Sequence, residues 1–353
     1  MTRIVTVLAA VAAAVAPLLL VDQTFFVQTA LAAIVVTGLS LFMGYAGQAS
    51  LGQGAFVAVG GLTVAVGTVS LGIPPLIALL LAPVLGAAAA ALVGWPLLRL
   101  RGHYLAFGSL AVLLIIQTVM ATVPLFGAGV GIFGIPPLSV GGLVVTDQRA
   151  YSYLALAGLA LALLVCRNLV RSRFGRGIRA LAGSETAAAS SGVPVLRSKL
   201  TVFAVAGAVA GFAGALGAFF TPYVSQDTYP PFVSFGYVVM AVVGGLGSVW
   251  GGVVGTLALS LWLQVLSTLS ATPGMPAAAG PILQYAGYGV VLVLFLLFVP
   301  RGIVPTVAGR WAALRGRRSR ARETGRTVPE AGIRPGESRV DPRDDRERAT
   351  TSR

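Results

Sequence analysis

Residues 25–43 read FFVQTALAAIVVTGLSLFM, a stretch without a charged side chain. A helix of about 20 such residues spans the hydrocarbon core of a bilayer. Similar apolar stretches recur along the chain, near 4–21, 51–71, 75–98, 105–123, 151–166, 200–221, 233–249, 252–268 and 282–299. The sequence therefore predicts an all-α, polytopic integral membrane protein with about 8–10 transmembrane helices.

Composition supports this fold class. Of 353 residues, 56% are hydrophobic and only 10% are charged, whereas soluble domains carry about 25% charged residues. A soluble enzyme is excluded.

The charge distribution predicts the orientation in the membrane. The chain has 25 basic and 11 acidic residues, a net charge of +14. Seven of the basic residues fall in one loop: Arg167, Arg171, Arg173, Arg176, Arg179, Arg197 and Lys199. Positive charge beside apolar spans marks cytoplasmic segments, so both termini are predicted to be cytoplasmic, and no nucleic-acid partner is needed to explain the charge.

Two regions are predicted from these patterns. Residues 1–304 form a transmembrane domain with a cytoplasmic loop at 167–199, and residues 305–353 form a basic, disordered cytoplasmic tail. The first span, 4–21, follows Arg3 and is predicted to stay as an anchor, with cleavage as a signal peptide as the alternative.

Several chemistries are excluded by residue usage. Cys166 and His103 are the only residues of their types, so an intrachain disulfide and a zinc site of the usual kind cannot form. Lys199 lacks the preceding glycine of a Walker A loop. We therefore predict no metal, no cofactor and no ATP site in this chain.

The glycines fall into two patterns. Gly207, Gly211, Gly214 and Gly217 lie on one helix face and predict a helix contact; they are called the glycine seam below. Between residues 44 and 54, glycines alternate with polar residues instead. That segment consists of Gly44, Tyr45, Gly47, Gln48, Ser50, Gly52, Gln53 and Gly54. Polar groups at membrane depth line a pathway or pack against another helix, and both interpretations stay open.

The cytoplasmic loop is predicted to form two short helices. Phe174, Ile178 and Leu181 lie on one apolar face of the first. Ser184 caps the second, Glu185 suits its positive end, and Gly192 with Pro194 ends it. Such a helix fits the groove of another protein, although a loop lying on lipid headgroups has the same composition.

The loop from Gly175 to Gly192 resembles the coupling loop of ATP-binding-cassette importer permeases. Five segments in order, GYAGQASLGQGAF (44–56), LRLRGHYLAFGSL (98–110), RSRFGRGIRAL (171–181), VVGGLGSVWGGVVG (242–255) and FVPRGIV (298–304), resemble the M-type permease of branched-chain amino acid transporters. The external segment GAGVGIFGIPP (127–137) departs from the Thr-Gly-Gly type motif of that family, which leaves the solute open.

The resemblance implies a permease of the bacterial cytoplasmic membrane that has no enzyme activity of its own. Its implied partners are the lipid bilayer, a second homologous permease, two ATPases and an extracytoplasmic solute-binding protein. A branched-chain amino acid is the expected solute. Urea, a short amide or another small solute is the alternative, and an ion-coupled secondary carrier is the competing class.

The resemblance also implies residue roles. The translocation pathway is assigned to the glycines and polar residues of 44–54 named above, together with His103 and Tyr104, although His103 could equally anchor its span at the headgroups. The coupling residues are Arg179, Gly183, Ser184, Glu185, Thr186, Ala187, Ala188 and Gly192. ATP-driven closure of the ATPases would push this loop and tilt the spans.

Overall fold

A computed structural model describes residues 22–100, 102–140, 143–270, 279–298 and 302–306. The helices are α1 (Gln23–Ala46), α2 (Gln53–Ala65), α3 (Pro75–Leu97), α4 (His103–Thr122), α5 (Gln148–Arg171), α6 (Arg173–Gly183), α7 (Glu185–Ser190), α8 (Val195–Phe220), α9 (Pro231–Gly244), α10 (Val249–Ser270) and α11 (Ala279–Phe298). A π-helical turn, Val66–Ser70, extends α2.

Seven helices in the described part of the chain are long and apolar enough to cross a membrane. This confirms the predicted polytopic, all-helical class. The Gly-rich run at 244–252 separates α9 from α10, as predicted. The predicted first span at 4–21 and the basic tail from residue 307 onward lie outside the described residues.

Four two-residue strands lie in the connections. β1 (Ile132–Phe133) pairs antiparallel with β4 (Tyr223–Val224), and β2 (Ser139–Val140) pairs with β3 (Leu143–Val144). The ring of Tyr223 stacks on Phe133 at 4.3 Å between centroids. The β1–β4 pair joins the long connection after α4 to the one after α8, at the end of the bundle opposite the basic loop, whereas the β2–β3 pair lies within the connection after α4.

Helix α8 is the centre of the bundle and packs against α1, α2 and α3. The glycine seam makes this close packing possible. A β-carbon at Gly207 would lie 2.7 Å from the Gly86 carbonyl oxygen, and one at Gly211 would lie 2.8 Å from that of Ala82. One at Gly214 would overlap the Val57 carbonyl. The prediction is confirmed for these three glycines, whereas Gly217 has room, with Leu31 Cδ1 at 3.8 Å.

An aromatic cluster lies where α1, α2 and α8 meet. Phe203 contacts Phe42 at 4.8 Å and Phe56 at 5.2 Å between ring centroids, and all three rings are buried. Aromatic pairs at these separations add to the stabilisation from area burial. The cluster holds α1 and α2 on the central helix on either side of the non-helical segment between them.

Candidate functional site

Residues 47–52 interrupt the helical backbone between α1 and α2; this segment is called the helix break. Helix α1 ends at Ala46, and the next residue, Gly47, has a left-handed conformation with φ of 66°. The chain then runs back along α4. The Leu51 N–H donates to Ser109 Oγ at 2.8 Å, and a β-carbon at Gly54 would contact Leu113 Cδ1 at 3.5 Å. Ser109 and Leu113 lie about 9 and 15 Å along α4 from its first residue, His103. The chain after Gly47 therefore re-enters the bundle beside α4.

Two polar side chains of this region are buried without hydrogen-bond partners. Ser50 and Gln53 are each 1% exposed. Within the described residues, Ser50 Oγ and both amide atoms of Gln53 have no partner. Burying an unpartnered polar group costs about 1–3 kcal/mol on protein scales, so such groups call for a functional explanation.

Two serines from other helices support the start of α2. Ser234 Oγ, on α9, accepts a hydrogen bond from the Gly54 N–H at 2.8 Å. Ser109 Oγ accepts from Leu51 and donates to the Ala106 carbonyl at 2.8 Å. A β-carbon at Gly52 would overlap the Ser109 backbone, so only glycine fits there. Neither serine was predicted as a site residue from the sequence, although a hydroxyl inside an apolar span is the same kind of signal as the amide of Gln53.

Helix α6 has the predicted apolar face. Ile178 and Leu181 are buried and Phe174 is half-buried. Arg179 Nη2 donates to the Val170 carbonyl at 2.6 Å, which ties α6 to the end of α5. Gly183 is the last residue of α6.

Helix α7 follows directly, at the end of the bundle that the sequence predicts to be cytoplasmic. Ser184 Oγ accepts a hydrogen bond from the Ala187 N–H at 3.3 Å, which confirms the predicted cap. Gly192 has φ of 81° after the helix ends. Thr186 and Ala187 are exposed, whereas Ala188 is buried against the bundle. One face of α7 is thus packed against this chain, and the other is exposed.

The structure brings the loop and the helix break together. The Arg179 guanidinium lies 6.0 Å from the centre of the Tyr45 ring. A β-carbon at Gly47 would contact Ala182 Cα at 3.5 Å. Gln48 Nε2 donates to Glu185 Oε1 at 3.2 Å.

Lys199, in the second turn of α8, forms an ion pair with Glu185. The Lys199 side chain is 5% exposed and that of Glu185 42% exposed. The carboxylate of Glu185 therefore contacts both Gln48 at the break and a buried cation on the central helix.

Gly44 is in contact with the turn between α9 and α10, since a β-carbon there would lie 3.1 Å from Gly247 Cα. His103 and Tyr104 occupy a different position. Both are exposed at the start of α4, with Tyr104 75% exposed. Contact between α4 and the break is made by Ser109, two turns further on. Among the described residues, no group of three His, Cys, Asp or Glu side chains could hold a metal ion.

The family model and two curated proteins that match this chain are all described as branched-chain amino acid transport permeases. The family described as branched-chain amino acid transport system, permease component, matches residues 23–299. A high-affinity branched-chain amino acid transport system permease protein, LivM, from Salmonella typhimurium is 30% identical over 296 residues, covering 76% of this chain and 66% of the relative. The Escherichia coli LivM protein is 29% identical over the same shares. The chain thus spans slightly less than two thirds of the length of these relatives.

A more distant relative matches a shorter region. The L-arabinose transport system permease protein AraH of Escherichia coli is 30% identical over 152 residues, covering 40% of this chain and 42% of the relative. No solved structure matches the chain.

Proposed function

Because the chain belongs to the branched-chain amino acid transport permease family, we propose that it is the translocation subunit of an ATP-driven importer for branched-chain amino acids. The amino-acid permeases match 76% of the chain and the arabinose permease only 40%, which favours an amino acid over a sugar. The family is a permease component, so ATP hydrolysis is assigned to a partner chain.

The observation that carries the mechanism is the contact between α7 and the helix break. Glu185 is hydrogen-bonded to Gln48 and paired with Lys199. A push on the exposed face of α7 would reach the end of α1 and the start of α8 through one carboxylate. A contact of this kind would let a partner's ATP cycle bias which of two states the permease adopts.

The break is the proposed translocation pathway. Non-helical backbone at membrane depth occurs where it lines a cavity or is buried in protein. The unpartnered groups of Ser50 and Gln53 favour the first explanation, since a solute's amino and carboxylate groups would satisfy them. The residues assigned to the pathway are Gly44, Tyr45, Gly47, Gln48, Ser50, Gly52, Gln53 and Gly54. His103 and Tyr104 are assigned to its cytoplasmic rim.

The proposed partners follow from the family and the open face of α7. Two ATPases would dock on the coupling residues, from Arg179 to Gly192. A second homologous permease would complete the membrane part, and a solute-binding protein would deliver the amino acid from outside.

The test is ATP-dependent uptake of labelled leucine, isoleucine, valine and urea by the co-expressed complex in vesicles. We expect uptake of the three amino acids and its loss to background in Glu185→Arg and Gly192→Pro, with permease still inserted. Uptake of urea but of none of the amino acids would show that the solute is urea and not a branched-chain amino acid. Uptake without the ATPases, or indifferent to both loop variants, would overturn the coupling mechanism in favour of a self-contained carrier.

A further inference from the structure

A cavity of about 490 Å³ lies between α1, α8, α9 and α10. Thr221, Tyr223 and Thr228 border it, and these residues belong to the connection between α8 and α9, opposite the basic cytoplasmic loop. The cavity therefore opens toward the external side. Its volume falls within the roughly 300–1,000 Å³ typical of small-molecule sites.

Each wall of the cavity is one face of a helix. Helix α9 contributes Val233, Tyr237 and Met240, and α10 contributes Ser260, Leu263, Gln264 and Ser267. These spacings of three and four residues place each set on a single face. The cavity is thus built by the packed bundle.

The chemistry of the lining selects a class of ligand. None of the described residues that line it is charged, so a solute with net charge would lose hydration without a compensating partner. Apolar side chains alternate with hydroxyl and amide groups, among them Tyr237, Ser260 and Gln264. Polar groups at membrane depth are costly when they face lipid tails, so their position in the cavity lining favours a ligand that binds them. The lining therefore fits a small solute of zero net charge with an apolar portion.

The floor of the cavity lies about one helical turn from the unpartnered side chain of Gln53, the first residue of α2. Val57 lines the cavity, and Gln53 precedes it by four residues on the same helix, about 6 Å away along the axis. Val233 lines the cavity, and the next residue, Ser234, is hydrogen-bonded to Gly54. A solute leaving the cavity inward would meet Gln53 first.

We propose that this cavity is the permease's own external solute site, that it holds a branched-chain amino acid, and that Val57 and Val233 separate it from Gln53. The choice of solute rests on the proposed function. The amide and hydroxyl groups of the walls would bind the amino and carboxylate groups, and the apolar walls would bind the side chain. Gln53, which offers both a donor and an acceptor, would then receive the same groups after the floor opens.

Protection of a single cysteine tests the site directly. In a Cys166→Ala background of the assembled transporter, Ser267→Cys places a thiol in the cavity wall. Thr268→Cys is the matched control, because Thr268 is exposed on the neighbouring face and does not line the cavity. We expect an impermeant maleimide added outside to label Ser267→Cys, and saturating leucine to slow that labelling several-fold while leaving Thr268→Cys unchanged. Labelling of Ser267→Cys that leucine does not slow would overturn the proposal.

A volume test uses Gly217, which lines the cavity and has room for a side chain. Gly217→Val should raise the KM for uptake about tenfold, since one or two methyl groups have effects of this size in a fitted apolar pocket. Gly289→Val is the control, because a β-carbon at Gly289 would meet nothing within 4 Å. Equal KM values for the two variants would contradict the assignment.

The two proposals fail differently. Leucine uptake by the wild type without protection of Ser267→Cys would remove the cavity site and leave the proposed function intact. If no amino acid were taken up, the proposed function would be wrong about the solute, and the assignment of an amino acid to the cavity would be wrong as well. If urea were then taken up and protected Ser267→Cys, the cavity would stand as the site of a different neutral solute.

Discussion

The glycine seam of α8 and the helix break between α1 and α2 are both rich in glycine, and they have opposite structures. In the seam, alanine and other apolar residues separate the glycines, the backbone stays helical, and neighbouring helices approach until a β-carbon would meet their carbonyl groups. In the break, serine and glutamine separate the glycines, and the backbone leaves the helix. The neighbours of glycine, more than glycine itself, decide between tight packing and a polar break in the membrane.

The largest expected effect comes from filling the seam. Gly211→Leu should leave almost no folded permease, because overpacking costs about 1–3 kcal/mol even where neighbours can move, and here the neighbour is the backbone of Ala82. Fluorescence-detected size-exclusion chromatography of a tagged permease measures the folded fraction. Gly217→Ala is the control and should behave as wild type, since its nearest neighbour is the end of the Leu31 side chain. A monodisperse Gly211→Leu would show that α8 is not tightly packed.

The second prediction concerns the ion pair that connects the break to the loop. Glu185→Ala leaves the buried Lys199 cation without its carboxylate, and an uncompensated buried charge is destabilising, by up to about 3–5 kcal/mol where both partners are buried. Lys199→Met leaves Glu185, which is 42% exposed and can be hydrated, so it should cost less than about 1 kcal/mol. Thermal unfolding of the purified permease at one detergent concentration compares the two.

Both variants of the ion pair should lose ATP-driven uptake, because both disconnect α7 from α8. Lys199→Arg is the conservative control and should retain a large part of it. A Lys199→Met protein less stable than Glu185→Ala would reverse the expected asymmetry and show that Lys199 supports the fold through other contacts.

The sequence predicts a feature of these regions well when the residues in contact are close together along the chain, and poorly when they are far apart. The span positions, the loop helices and the close packing of the seam follow from local patterns of apolar and small residues. The support of the break by Ser109 and Ser234 does not, because those residues lie 58 and 180 positions from their partners. Their meeting depends on how deep the break re-enters the bundle. The exposed position of Tyr104 likewise depends on tertiary structure, since its segment resembles the family's pattern as well as the break does.

A third prediction separates function from stability in the break. Gln53→Leu removes two buried polar atoms without partners and should stabilise the permease by about 1–3 kcal/mol. Uptake should nevertheless fall several-fold, because the solute loses its donor and acceptor. Melting temperature and uptake are measured on the same preparation. Leu62→Met, an apolar change at a buried position of the same helix, is the control for a general effect of altering α2. Gln53→Leu with unchanged uptake would assign the break to packing.

The smallest expected effect is at the support of α2. Ser234→Ala removes the acceptor of the Gly54 N–H, and losing a helix N-terminal acceptor costs about 1 kcal/mol. The fold should survive, because glycine packing at 52 and the Ser109 hydrogen bond still position the segment. Uptake should fall by less than in Gln53→Leu, with KM unchanged if Ser234 only positions the helix. Thr118→Ala removes an exposed hydroxyl of α4 that bonds to its own helix and serves as the control. A Ser234→Ala protein with a raised KM would place this hydroxyl in contact with the solute and extend the pathway from the break onto α9.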